Sequence, residues 1–102
     1  MSAQRQTKRT ALRLPVSIGR RAALSADISD TGLCLESPTL HAAGAEVSGF
    51  VLHGNLELKW TGRVAWVSPG NPMASTWHRL GVQFTSVSPG LRALLSIKQR
   101  QA

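Results

Sequence analysis

What most constrains this chain is its punctuation: between Leu12 and Phe84, short runs of strand character are broken repeatedly by turn-forming residues. LRLPVSI (12–18) alternates apolar with other side chains and is closed by Gly19, after which RRAALSADIS (20–29) turns back. TGLCLES (31–37) is stopped by Pro38, which cannot donate to a ladder. AEVSGFVLH (45–53) and LELKWTGRVAWV (56–67) meet at His53-Gly54-Asn55, a compact hairpin signal, and RLGVQF (79–84) follows a loop rich in Pro, Gly, Asn and Ser over 68–76. Only the end reads as helix. Ser88 suits an N-cap, Pro89 the first helical position, and Leu91, Leu94 and Leu95 one apolar face, with Lys98 and Arg100 at the favourable end of the dipole. The pattern predicts an all-β fold: a small six-stranded antiparallel β-barrel with one C-terminal α-helix over about 89–100.

A chain of 102 residues, 42% hydrophobic, can bury one core but not enclose a deep cleft alone. Twelve Lys and Arg against five Asp and Glu leave +7, which calls for a negatively charged partner. The charge is uneven. Arg5, Lys8, Arg9, Arg13, Arg20 and Arg21 all precede the first acid, Asp27. Residues 1–8 therefore read as a flexible basic N-terminal arm, and 9–102 as a single barrel domain. The opening MSAQRQTKR has no apolar stretch of signal-peptide length behind it, and nowhere do about 18 apolar residues run together. A cytoplasmic protein without membrane insertion is expected. Cys34, the sole cysteine, lies between Leu33 and Leu35 and reads as a packed thiol.

Residues 27–35, DISDTGLCL, hold two overlapping functional phrases. Asp30-Thr31-Gly32 is the tripeptide of dimeric aspartic proteases, whose catalytic Asp shares a proton with its two-fold mate and is followed by small residues. Here bulky Leu33 follows, and no Gly-rich flap is evident. The second phrase is Asp-x-Ser-x-x-Gly, formed by Asp27, Ser29 and Gly32. It has company: Arg9 and Arg13 make Arg-x-x-x-Arg upstream, and TGRVAW and RLGVQF follow downstream. Each phrase alone is weak. The ordered set is a far rarer event.

In that order the motifs resemble the PilZ domain, the bacterial receptor module for cyclic di-GMP, over about Arg9 to Phe84. The resemblance implies a second-messenger receptor that takes cyclic di-GMP as ligand and passes the signal to an effector protein. Arg9, Arg13, Asp27, Ser29 and Gly32 are then the expected ligand-binding residues. The chemistry is coherent: arginine's planar fork matches both phosphate and the O6/N7 edge of guanine, while a carboxylate at Asp27 accepts from guanine N1–H and N2–H₂. Ser29 offers a short hydroxyl, and Gly32 a close backbone approach. Lys8 is a secondary candidate for a phosphate. Trp66, in phase with Val64, is expected in the core, with stacking on guanine at the barrel rim as its functional alternative. Trp60 and Trp77 read as packing or surface residues.

Other chemistries find little support. His41, His53 and His78 lack ligand spacing, so no metal is expected, and no nucleophile has a recognisable base and orienting partner, so no enzyme is expected. The principal rival is a basic β-barrel for RNA or single-stranded DNA. Such a module needs exposed aromatics for stacking, but this chain has 5% aromatic residues and no tyrosine. Nucleic acid is therefore not the expected partner.

Overall fold

The computed structural model describes residues 10–11 and 13–101, with side chains over 13–71 and 73–97. The elements run β1 (Thr10–Ala11), β2 (Pro15–Ile18), β3 (Arg21–Ile28), β4 (Gly32–Ser37), β5 (Glu46–His53), β6 (Leu56–Ser68), a 3-10 turn (Pro72–Ala74), β7 (His78–Val87) and α1 (Pro89–Gln101). Strands β2 to β7 pair antiparallel in the order β3-β2-β5-β6-β7-β4, and β4 returns to β3. Among the described residues this is a closed six-stranded barrel with one C-terminal helix. Closure leaves these six strands no free edge. The short β1 is an addition alongside β3.

The first strand differs from expectation. Residues 12–18 were expected to run unbroken, but the ladder begins at Pro15, and Arg13 and Leu14 lie outside it. The reason is a change of register. Thr10 and Ala11 pair with Ile28 and Asp27, whereas Pro15 and Val16 pair with Leu24 and Ala23, a slip of one residue between the two segments. Leu14 bridges the slip: Ser25 N–H donates to its carbonyl at 3.0 Å, and its own N–H donates to Ser25 Oγ at 2.8 Å. The hydroxyl of Ser25, fully buried, thus replaces a ladder partner.

Alternation builds the core. Val16, Ile18, Ile28, Leu33, Leu35, Val51, Trp60, Val64, Leu80 and Val82 point inward, and Leu91, Leu94 and Leu95 of α1 join the same cluster. Ser88 caps the helix as expected, its Oγ accepting from Leu91 N–H at 3.3 Å and its carbonyl from Arg92 N–H at 3.0 Å. Trp60 is wholly buried, its ring 6.1 Å from that of Phe84.

Trp66 is not in the core. Val64 faces inward, but a β-bulge between Val64 and Trp66 places two exposed residues in succession, Ala65 and Trp66, and the indole remains 46% exposed on the outer surface. An inserted residue reverses the side-chain alternation beyond it. That correction brings Trp66 to the site.

Candidate ligand-binding site

Cross-strand register assembles the site. Asp27 of β3 is opposite Cys34 of β4, Cys34 opposite Gly81 of β7, and Gly81 opposite Trp66 of β6. Residues directly opposite share a face, and the inward-facing neighbours Ile28, Leu33, Leu35, Leu80 and Val82 assign this row to the outside. A second bulge, between Ser25 and Asp27, is what turns Asp27 outward while Ser25 and Ile28 stay buried. The row is flanked by Gly32 opposite Gln83 on one side and by Leu24, Glu36 and Arg79 in register on the other.

The middle of this surface is low because its residues are small. Gly32, Cys34 and Gly81 form a floor, and Trp66 lies directly over Gly81, where an added Cβ would run into the indole. Gly32 takes ordinary extended backbone rather than a left-handed turn, and an added Cβ would meet the Val82 carbonyl of β7. Its close approach, expected toward a purine, is made in this structure to the neighbouring strand. Beside the floor a cleft of about 240 Å³ is lined by Thr31, Gly32, Ala65, Trp66, Gly81, Val82 and Gln83. A second cleft of about 390 Å³ lies between Leu24, Glu36 and Arg79 and the loop residues Ser75, Thr76 and Trp77.

The expected site residues fall as follows. Asp27 is half-buried in β3, opposite both Cys34 and Ala11 of β1. Ser29 is fully buried and holds the bend between β3 and β4: Thr31 N–H donates to its Oγ at 3.3 Å, its Oγ lies 3.1 Å from Thr31 Oγ1 and 3.4 Å from the Gly32 carbonyl, and its N–H donates to that carbonyl at 2.9 Å. Its hydroxyl shapes the turn rather than the surface. Asp30, the carboxylate of the protease phrase, is exposed at the same bend. Arg13 projects along the outer face, its Nη2 3.2 Å from Glu36 Oε1. Lys8 and Arg9 lie outside the described residues, although the strand that starts at Thr10 runs beside Asp27.

Residue types alone did not single out Glu36, Arg79, Thr31 and Gln83. Arg79 Nε lies 3.9 Å from Glu36 Oε2, and its Nη2 is 3.7 Å from Cys34 Sγ. The available signal was positional: Cys34 and Glu36 alternate with the core residues Leu33 and Leu35. Cys34 is indeed packed, but on the outer face, where Arg79 reaches across it. Among the described residues no group of His, Cys, Asp and Glu could hold a metal ion, and no helix is long and apolar enough to cross a membrane.

The family model of the PilZ domain matches residues 3–97. The chain belongs to the PilZ domain family. PilZ is a family of cyclic di-GMP receptors, and its domains are binding modules that act on effector proteins and are generally not enzymes. Among solved structures, this PilZ domain is similar to the Bacillus subtilis inhibitor of motility MotI/DgrA, with a TM-score of 0.78 and 18% sequence identity. The match covers 96% of this chain and 51% of that one, so the PilZ chain described here spans about half the length of its structural neighbour. At this identity the likeness is one of fold. No curated protein sequence matches the chain.

Proposed function

We propose that this PilZ domain binds cyclic di-GMP on the outer face of β3, β4, β7 and β6 and passes the signal to a protein partner. The observation that carries the reading is the row Asp27–Cys34–Gly81–Trp66, a small-residue floor with a carboxylate at one end and an exposed indole at the other. A flat purine suits such a floor. Asp27 accepts from the guanine N–H donors, Trp66 offers a stacking face, and Arg9 and Arg13 supply charge-assisted bonds to phosphate or to the O6/N7 edge. Ser29 and Gly32 act by holding the bend and the β4–β7 approach that present Thr31 and Asp27. Lys8 adds a positive charge for phosphate.

Calorimetric titration tests this directly. Saturable binding of cyclic di-GMP is expected, with weaker binding of cyclic di-AMP, whose adenine N6 amino group is a donor where guanine O6 accepts. GTP and linear pGpG serve as controls. Equal affinity for the two cyclic dinucleotides would overturn direct base readout. Comparable binding of any short oligonucleotide, with steep salt dependence, would point to the nucleic-acid reading instead.

A further inference from the structure

Glu36 stands where a phosphate ligand gains nothing from it. It lies on the outer face of β4, two residues beyond Cys34, with its Oε1 3.2 Å from Arg13 Nη2 and its Oε2 3.9 Å from Arg79 Nε. The two arginine side chains are more than half exposed, whereas Glu36 is 29% exposed, held between them. Among the described residues, both of these cations beside the floor are thus already engaged by a carboxylate of the protein. The geometry points to Glu36 as an internal competitor: it holds Arg13 and Arg79 as a pair in the ligand-free domain, and a phosphate-bearing ligand must displace it to engage them.

This rests on the ligand reading above and adds two determinants to it. Arg79 is a further ligand-binding residue, and Glu36 is a residue that lowers affinity. The physical case is a balance of exchange. An exposed ion pair is weak in water, so Glu36 does not prevent binding, but breaking it and leaving an anion beside incoming phosphate both oppose the complex. Removing the charge while retaining the shape relieves both. Glu36→Gln should therefore tighten binding, the reverse of the usual result for a polar residue in a binding site.

The experiment is a titration of the full chain and its Glu36→Gln variant with cyclic di-GMP and, in parallel, with inorganic pyrophosphate, which carries phosphate charge without bases. Glu57→Gln, at the far end of β6, makes the same change of net charge away from the site and serves as control. The expected result is a gain of about three- to fivefold for Glu36→Gln with both probes, the upper part of the range for an exposed ion pair, and a change under about twofold for Glu57→Gln. In an Arg13→Ala/Arg79→Ala background the gain should fall below about twofold, since neither arginine that Glu36 holds is left to compete for. Weaker or unchanged binding of both probes by Glu36→Gln would overturn the proposal, as would a gain that persists without the two arginines. If pyrophosphate binding gains as expected while cyclic di-GMP binds to no variant, the competitor stands and the ligand reading fails.

Discussion

At the scale of single residues, the proposed function separates side chains that would touch the ligand from side chains that position them. Arg13 is exposed on the outer face and its ion pair is weak, so its loss should leave the barrel intact. Arg13→Ala is expected to cost about 1.5–3 kcal/mol of cyclic di-GMP binding, roughly ten- to hundredfold, with circular dichroism unchanged. Arg13→Lys should restore little, because a point charge lacks the guanidinium fork; parental affinity in that variant would reduce the role of Arg13 to charge alone. The two aspartates of residues 27–35 should behave oppositely. Asp27→Ala should sharply weaken binding, while Asp30→Asn, at the exposed bend, should change it by less than about 1 kcal/mol. Ser29 belongs to the other group. With its hydroxyl buried and engaged, Ser29→Ala should lower stability in urea by about 1–2 kcal/mol, with any loss of binding following from the loosened bend.

Pairs of strands decide how the floor is built, and two glycines report on it differently. At Gly32 an added methyl meets the backbone of β7, which cannot move without disturbing the ladder, so Gly32→Ala should destabilise the fold by about 3 kcal/mol or more. At Gly81 the obstacle is the indole of Trp66, a side chain nearly half exposed and free to turn away. Gly81→Ala should therefore cost less stability than Gly32→Ala yet weaken ligand binding by moving Trp66, and denaturant melts beside titrations would separate the two effects. The reverse ranking would mean that Trp66 is held more firmly than β7. The helix offers a simpler case: Ser88→Ala removes the cap at Leu91 and should cost about 1 kcal/mol without altering the binding face.

For the molecule as a whole, closure of the barrel makes β3 and β4 neighbours of β7 and β6, and so joins segments far apart in sequence on one outer face. A ligand on that face contacts several strands and binds only the folded chain. Cyclic di-GMP at a hundredfold excess over Kd should accordingly stabilise the domain by about 2.7 kcal/mol, raising Tm by on the order of ten degrees for a domain of this size. Thermal melts across a ligand series check this. An unchanged melting curve at saturating cyclic di-GMP would count against a specific complex with the native barrel.

Local physics made much of this legible from the chain alone. Turn residues end strands wherever they occur, alternation marks a half-buried strand without reference to its partner, and Ser88-Pro89 caps a helix by hydrogen bonds within one turn; the strand runs, the helix start and the ordered motif set could be read for that reason. The unbroken first strand and an inward Trp66 were read wrongly for one cause. Both depend on pairing register, and a single slip or bulge, between β1 and β2 or at Ala65, changes which face a side chain takes. Register is set by distant partners as the barrel closes. Tertiary structure alone therefore decided that Ser29 is buried, that Trp66 faces outward beside Gly81, and that Glu36 stands between Arg13 and Arg79.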